Sequence, residues 1–135
     1  MPTPKEIVKM WSDAFNDHDT MKIGECYSED AINFQVADEP IRGKEAIKSG
    51  FAYLFAAFPD IGFQTENLFE DGDWAILEWF GWGTLKGEFM GFSPTGKRYE
   101  LRGCGFFHVE NGKIVFQRGY WDKLTWFSQV GIDPR

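Results

Sequence analysis

One carboxylate in the sequence lies within a run of aromatic residues. Glu78 occurs in the segment WAILEWFGW, next to Trp79 and Phe80. Burial among aromatic rings disfavours the charged form of a carboxylate, which suits a general base or acid near neutral pH. Strand alternation could instead turn Glu78 toward solvent or toward an arginine. We treat Glu78 as a catalytic candidate, with a surface position as the alternative.

Two further titratable residues, His108 and Asp122, occur in the last predicted strands. Asp122 could act as an acid or base, or it could form an ion pair with a nearby arginine. The His108 imidazole could act as a proton donor or acceptor, but its place at a strand end also fits an exposed or interface position. Neither His108 nor His18 has a carboxylate or thiol at metal-ligand spacing, so no metal site is predicted.

Three uncharged polar residues could hydrogen-bond a ligand from the predicted sheet. Asn33 and Gln35 lie two residues apart on the first strand, so their side chains point the same way. Together with Gln117 on the last strand, they could bind a carbonyl or hydroxyl group. The plainer alternative is that they are polar residues at strand ends that face water.

The turn between the last two predicted strands can be built in two ways. A two-residue Asn111-Gly112 turn pairs Glu110 with Lys113, whereas a three-residue loop with Gly112 in the left-handed region pairs Val109 with Lys113. The two turns differ by one residue, and a one-residue slip changes which side chains share a face of the sheet. We favour the three-residue loop and assign the two faces on that basis.

This register places three glycines on one face of the sheet. Gly103 lies opposite Gly119, and Gly105 lies opposite Gln117. Glycines leave open volume, so this face would line a pocket for a bulky, flat, apolar ligand. They could equally accommodate sheet curvature or a closely packed helix. The same face also carries Leu101, Phe107, Val115 and Trp121.

The opposite face of these strands is amphipathic and aromatic, a composition that suits a homodimer interface. Phe106, Phe116 and Tyr120 would supply apolar contacts, and arginines could pair with Asp122 across the interface. The expected protein partner is therefore a second copy of the chain. The residues assigned to this face are Arg102, Cys104, Phe106, His108, Phe116, Arg118, Tyr120 and Asp122.

The elements that would position these residues are helical in the first half and extended in the second. Ile7, Trp11 and Phe15 recur at helical spacing after Pro4, and a second apolar stripe ends at Pro59. Early helices and late strands predict one α+β domain over residues 1–135, with helices on one face of an antiparallel sheet. We predict helices over 4–16, 20–27 and 44–58, strands over 31–36, 61–70, 73–86, 97–109 and 114–122, and a last helical turn after 123.

Composition limits the partners of this 135-residue chain. Its formal net charge of −7 argues against nucleic acid and anionic membranes, because both attract basic patches. The 14 Phe and 6 Trp residues exceed the needs of a small core, so the surplus is expected to line a cavity or an interface. No disulfide framework, signal peptide or membrane span is recognisable. We expect a soluble cytoplasmic protein that binds a small apolar ligand.

Several phrases occur in the order typical of one superfamily. FNDHDTMKIGECYSEDAINF has the form of a first connection and first strand, and IRGKEAI has the form of an entry to a third helix. GTLKGEFMGFSPTGKRYELRG, FFHVENGKI and YWD…SQVG follow. Together they resemble the SnoaL-like polyketide cyclases of the nuclear transport factor 2 superfamily, over nearly the whole chain. The resemblance implies a cone-shaped α+β barrel in which three N-terminal helices pack on a curved antiparallel sheet around a pocket.

The resemblance also implies catalytic positions, which this chain fills with other residues. SnoaL-like cyclases and limonene epoxide hydrolases use an Asp that follows an Arg on the last strand, and here that position is Gly119. The cyclases' His on the preceding strand corresponds to Gly105. The epoxide hydrolases' Arg-x-Asp pair corresponds to residues 78–80, which read Glu-Trp-Phe. Ketosteroid isomerases, which are similar in fold, would place their base near Phe34 or Gln35.

Three functions are compatible with these residues. The first is a cyclase, isomerase or hydrolase that acts on an apolar carbonyl compound, with Glu78 as base and with Asn33, Gln35 or Gln117 steadying the enolate. This chemistry needs no metal or organic cofactor. The second is a non-catalytic binder of a small apolar ligand that has lost the family's Asp and His. The third is a scaffold whose own aromatic residues fill the pocket.

Overall fold

Four helices and one six-stranded sheet form the fold in the computed structural model, which describes residues 1–133. The predicted α+β class is confirmed. A complete C-terminal helix replaces the single helical turn that we expected. In chain order the elements are α1 Pro4–Asn16, α2 Thr20–Glu25, β1 Tyr27–Gln35, β2 Ile41–Arg42, α3 Lys44–Ala57, β3 Gly62–Asp71, β4 Trp74–Thr84, β5 Arg98–Glu110, β6 Lys113–Trp121 and α4 Lys123–Val130.

Helix α1 begins where its sequence supplies a complete N-terminal cap. The Thr3 hydroxyl accepts a hydrogen bond from the Glu6 backbone N–H, and the Glu6 carboxylate accepts one from the Thr3 N–H. Pro4 occupies the first helical position, where a missing N–H has no cost. The apolar stripe predicted from the sequence is buried, so Trp11 and Phe15 face the sheet.

The six strands lie in the order β2-β1-β6-β5-β4-β3. Neighbours are antiparallel except β1 and β6, which run parallel and place Asn33 beside Gln117. Strand β1 begins at Tyr27, so it includes residues 28–30, which we had expected to form a turn. Strand β2, which the sequence did not predict, pairs with β1 at the edge of the sheet.

The β5–β6 hairpin has the two-residue turn, so the three-residue loop was the wrong choice. Asn111 and Gly112 both have positive φ, at 53° and 73°, which is the geometry of a turn that matches the right-handed twist of paired strands. Glu110 therefore faces Lys113. Asparagine tolerates the left-handed region better than most residues, which explains why the shorter turn forms here.

A β-bulge then shifts the register by one residue. Val109 pairs with Ile114 but His108 pairs with Phe116, so Val115 is the extra residue. As a consequence Gly105 lies opposite Gly119, and Gly103 lies opposite Trp121 instead of Gly119. Relative to the predicted loop, the turn and the bulge together shift the pairing of β6 with β5 by two residues. A shift of two residues leaves each side chain on the same face of the sheet, so Gln117, Gly119 and Trp121 keep the face that we assigned. Ile114, and not Val115, is the buried residue at the start of β6.

The core lies between the inner face of the sheet and helices α1, α3 and α4. Trp11 of α1 contacts Phe107 of β5 with ring centroids 5.1 Å apart, and Trp126 of α4 lies 5.5 Å from Phe58. These edge and tilted contacts bury most of the aromatic residues on one side of the sheet. Within residues 1–133, no helix combines the length and apolar character needed to cross a membrane.

Candidate functional site

A cavity of about 390 Å³ lies between the inner face of the sheet and the helices. Aromatic side chains form much of its wall, and they come from elements that are far apart in sequence. Among them are Trp11 of α1, Phe51 of α3, Trp79 of β4, Trp121 of β6 and Trp126 of α4. Such a wall offers broad apolar faces to a ligand and leaves orientation to a few polar groups.

Three amide side chains supply polar groups in this wall. Asn33 and Gln117 are only 6% and 4% exposed, and they are direct partners across the parallel β1–β6 ladder. Gln35 lies two residues beyond Asn33 on the same side of β1. The structure therefore brings together the three uncharged residues that the sequence suggested as ligand contacts.

Hydrogen bonds hold Gln35 and Asn33 in a fixed arrangement. The indole Nε1–H of Trp121 donates to Gln35 Oε1 at 2.9 Å. The Nε2 group of Gln35 in turn donates to Asn33 Oδ1 at 2.7 Å. The two amides and the indole therefore form one continuous chain of hydrogen bonds along the cavity wall.

A second chain of hydrogen bonds ends at Gln117. The indole Nε1–H of Trp11 donates to the Tyr27 hydroxyl oxygen at 2.9 Å, and that hydroxyl donates to Gln117 Oε1 through a short hydrogen bond. Complete burial raises the pKa of Tyr27 well above its ordinary value, so the phenol keeps its proton. Gln117 is therefore anchored through its oxygen.

A third indole in the cavity wall belongs to Trp126, and its N–H has no acceptor among the described residues. The Trp126 Nε1 atom is buried. Buried donors are normally satisfied, and leaving one unpaired costs about 1–3 kcal/mol.

The glycines on the inner face do not leave open volume, so the reason for expecting them in a pocket wall was wrong. A methyl group at Gly103 would overlap the Trp79 ring, and one at Gly119 would overlap the Gln35 carboxamide. A methyl group at Gly105 would lie 3.3 Å from the Phe107 ring. Neighbouring side chains occupy the space, and none of the three glycines lines the cavity.

The two aromatic residues predicted to bind ligand, Phe107 and Trp121, differ in whether they line the cavity. Phe107 is 1% exposed and packs beneath Trp11, so it belongs to the core and does not line the cavity. Trp121 does line the cavity, and its indole N–H begins one of the hydrogen-bond chains. Of the residues that we predicted for ligand binding, Asn33, Gln35, Gln117 and Trp121 contact the cavity.

Glu78 lies outside the cavity, contrary to the aromatic environment inferred from its sequence neighbours. Alternation along β4 turns Leu77 and Trp79 inward, and the Glu78 side chain is exposed on the opposite face. Asn67 Nδ2 donates to Glu78 Oε1 at 2.6 Å. The surface alternative therefore describes Glu78 correctly.

His108 and Asp122 also lie away from the cavity wall. The His108 ring stacks on Trp74 at a centroid distance of 4.7 Å, on the outer face near the hairpin. Asp122 caps helix α4, where its carboxylate accepts hydrogen bonds from the Leu124 and Thr125 backbone N–H groups and from the Thr125 hydroxyl. The ion pair that we suggested for Asp122 is replaced by this cap.

Comparison with known families decides where the chain belongs. The sequence model of the SnoaL-like polyketide cyclases matches residues 5–130. The chain belongs to this family. Its described residues contain no cluster of three His, Cys, Asp or Glu side chains that could hold a metal ion.

Known proteins resemble this SnoaL-like chain over almost its full length. The aklanonic acid methyl ester cyclase DnrD of Streptomyces peucetius is 25% identical over 134 residues, which cover 97% of this chain and 92% of DnrD. IdmH of Streptomyces antibioticus, a proposed polyketide cyclase, is 26% identical with a TM-score of 0.81, over 97% of this chain and 100% of IdmH. A Catenulispora acidiphila protein of ketosteroid isomerase-like fold, solved with trimethylamine, is 19% identical with a TM-score of 0.84, over 98% and 97% of the two chains.

One carboxylate that the sequence analysis missed lines the cavity of this SnoaL-like protein. Asp38 lies in the connection from β1 to β2, where a turn closed by the Asp38 N–H and the Gln35 carbonyl, 2.8 Å apart, brings it back beside β1. Lys123 Nζ donates to Asp38 Oδ1 at 2.7 Å, and the carboxylate side chain is 45% exposed. Among the described residues, it is the one carboxylate in the wall. The only sequence signal was its position just after the strand that carries Asn33 and Gln35.

Proposed function

We propose that this SnoaL-like chain is an enzyme that performs acid–base chemistry on an apolar carbonyl compound. The observation that supports this proposal is the presence, in one cavity wall, of buried amides and, among residues 1–133, a single carboxylate, Asp38. A carboxylate can accept a proton from carbon, and amide N–H groups can stabilise an oxygen that gains negative charge. The aromatic walls orient the compound and exclude water.

The proposed reaction begins with proton transfer to Asp38 from the carbon next to a carbonyl group. The electron pair of that C–H bond forms an enolate, whose oxygen accepts hydrogen bonds from Asn33 and Gln117. In a cyclisation, the enolate carbon attacks a second carbonyl of the same molecule, and the resulting alkoxide takes the proton. In an isomerisation, the proton returns to a different carbon. Both routes balance without an oxidant, a reductant or a leaving group.

The first substrate to test follows from the relatives. DnrD is named as a cyclase of aklanonic acid methyl ester, and its similarity to this chain covers nearly both sequences. Purified protein is incubated with that compound. The products are separated by chromatography, and their masses are determined by mass spectrometry. A product of unchanged mass but altered retention indicates cyclisation or isomerisation.

A test that does not depend on the natural substrate follows the proton itself. The compound 2-tetralone is flat and apolar and has exchangeable hydrogens next to its carbonyl, so enzyme in D₂O should speed their replacement by deuterium. Asp38→Asn should slow this exchange by roughly 100-fold or more, since it removes the base. Glu78→Gln, on the outer face, is the matched control and should retain the rate. Equal rates for wild type and Asp38→Asn would contradict Asp38 as the base.

The alternative function is non-catalytic binding of the same class of compound. Gly119 favours it, because the resemblance places the family's catalytic Asp at this position and glycine cannot transfer a proton. This alternative predicts that apolar carbonyl compounds bind and that neither deuterium exchange nor cyclisation exceeds the rate in buffer. Binding with no exchange by the wild-type protein would therefore replace the enzyme proposal.

A further inference from the structure

The direction of the hydrogen bonds around the cavity is fixed by two tryptophans. An indole N–H can donate a hydrogen bond but has no lone pair in the ring plane with which to accept one. Each chain of hydrogen bonds begins at such a group, Trp121 in one case and Trp11 in the other. The indole N–H at the start of each series of hydrogen bonds therefore determines the orientation of every amide further along that series.

The Trp121 chain leaves the Asn33 nitrogen without a protein partner. Because Trp121 donates, the atom of Gln35 that faces it must be the oxygen, and the Gln35 nitrogen must then donate to Asn33. The Asn33 atom that accepts this bond must be its oxygen. The Asn33 Nδ2 group remains. It makes no hydrogen bond to another protein atom among residues 1–133, and Asn33 lines the cavity.

The Trp11 chain has the same outcome at Gln117. The Tyr27 oxygen accepts from Trp11, so its single proton is free to donate to Gln117. Reversing the Gln117 amide would leave the fully buried Tyr27 hydroxyl proton without an acceptor, which is unfavourable. Gln117 Nε2 is therefore the free end. It makes no hydrogen bond to an acceptor within the described part of the chain, and Gln117 lines the cavity.

The two free amide groups are neighbours. Asn33 and Gln117 are partners across the β1–β6 ladder, and both side chains line the cavity. The oxygens of Asn33, Gln35 and Gln117 each already accept one hydrogen bond within the protein.

We propose that Asn33 and Gln117 form a donor-only pair, so that the cavity selects flat apolar compounds with carbonyl-type oxygens over compounds whose polar group is a donor. This inference rests on the proposed function, because it assumes that the cavity is the ligand site. A carbonyl oxygen has two lone pairs and can accept from both amides. A ligand N–H or O–H group placed against this pair faces two N–H donors, so it gains no hydrogen bond there to replace the one that it loses to water.

Three tricyclic compounds of nearly equal size test this selectivity. Fluorenone has an acceptor only, carbazole has a donor only, and fluorene has neither. Binding to the purified 135-residue chain is measured by equilibrium dialysis, with free compound quantified by chromatography. We expect fluorenone to bind at least about tenfold more tightly than carbazole, since one gains hydrogen bonds and the other loses them. A ratio below about twofold would overturn the inference.

Two kinds of variant show whether the named residues cause the preference. Gln117→Met and Asn33→Leu keep side-chain size and remove a donor, so each should lower the fluorenone-to-carbazole ratio by roughly threefold or more. Trp121→Phe should also lower the ratio, because Gln35 and Asn33 are then free to reverse. Trp82→Phe removes an indole that does not line the cavity and should leave the ratio unchanged. A high ratio that survives both donor deletions would overturn the assignment.

The outcomes separate this inference from the proposed chemistry. Fluorenone has no hydrogen on the carbon next to its carbonyl, so it reports binding alone. Equal binding of the three compounds, with deuterium exchange intact, overturns the donor-only pair and leaves the enzyme proposal standing. Selective binding of fluorenone without deuterium exchange overturns the enzyme proposal and leaves the donor-only pair standing. Failure of all three compounds to bind overturns the cavity as the ligand site and this inference with it.

Discussion

The Gln35 carboxamide occupies the space that a side chain at residue 119 would need. The two residues are partners in the parallel β1–β6 ladder, and a Cβ atom added to Gly119 would overlap the amide of Gln35. Trp121 and Asn33 hold that amide by hydrogen bonds on either side, so it cannot move aside freely. A neutral amide from the neighbouring strand therefore fills the space beside residue 119.

Gly119→Ala should lower the free energy of unfolding by about 1–3 kcal/mol, because the added methyl group overpacks a site that already contains Gln35. Shortening the neighbour should relieve the clash, so the same substitution in a Gln35→Ala background should cost much less. The two single variants and the double variant form a cycle that is measured by urea denaturation.

Gly105→Ala is the matched control for this cycle, since Gly105 lies directly opposite Gly119 on β5. Its added methyl group would lie 3.3 Å from the Phe107 ring and would require only a small shift. We therefore expect Gly105→Ala to destabilise less than Gly119→Ala. Additive effects of Gly119→Ala and Gln35→Ala would show that the two side chains do not compete for space.

The helices and most strands could be predicted because their signals are local. Pro4 in the first turn, the stripe through Trp11 and the stop at Pro59 each act within a few residues, and the structure follows them. The hairpin was harder because its turn and its bulge shift the register in ways that no single residue specifies. Asn111-Gly112 indicated the short turn, but nothing in the sequence marked Val115 as the bulged residue.

The site could be predicted in part because some of its signals are also local in the sequence. Alternation along β1 and β6 was enough to group Asn33, Gln35 and Gln117. The space beside a glycine depends on side chains from other strands, so sequence neighbours could not reveal that Gln35 fills the space at Gly119. Asp38 was missed because a connecting segment has no periodicity, and only the folded chain shows which loop returns to the cavity.

Substitution of the other sequence candidates should have little effect on chemistry in the cavity. His108→Gln removes a ring that stacks on Trp74 on the outer face, far from the amides. We expect the rate of 2-tetralone deuterium exchange in this variant to stay within about twofold of the wild-type rate, as for exposed sites in general. A loss of tenfold or more, with the thermal midpoint unchanged, would return His108 to the catalytic candidates.

Asp122 should make stability depend on pH in the acid range. Hydrogen bonds from the Thr125 side chain and backbone, and from the Leu124 N–H, lower the pKa of Asp122 below its ordinary value of 3.8. The folded state therefore binds fewer protons at this site than the unfolded state does. The resulting stabilisation is fully present above about pH 5 and is lost as the pH falls through the lowered pKa.

Asp122→Asn tests this contribution, because asparagine can still cap a helix but does not carry the charge. We expect a thermal midpoint about 2–4 °C below that of the wild type at pH 7, and a difference that shrinks toward pH 3. Asp30→Asn, which removes an exposed carboxylate from β1 without removing a cap, is the control. A difference between wild type and Asp122→Asn that stays constant from pH 7 to pH 3 would contradict the assignment.

We propose that the chain forms a homodimer through the outer face of β5 and β6. Arg118 lies over the rings of Phe106, Phe116 and Tyr120 at 5.3, 5.7 and 5.9 Å, and its buried Nε–H has no acceptor among residues 1–133. A second copy could supply that acceptor and cover the Tyr120 ring, which is 43% exposed. Light scattering after gel filtration should therefore give twice the mass of one chain.

Tyr120→Glu should convert this dimer to a monomer, because the new charge would be buried against the aromatic rings of the partner without a counter-ion. Leu124→Glu is the control, since Leu124 is also large, apolar and exposed but lies on helix α4. It should leave the mass unchanged. A monomeric wild-type protein at concentrations up to about 100 µM, well above the Kd of a specific dimer of standard interface size, would contradict the proposal. Because the cavity lies on the other face of the sheet, the monomeric Tyr120→Glu variant should still bind fluorenone, which separates assembly from ligand binding.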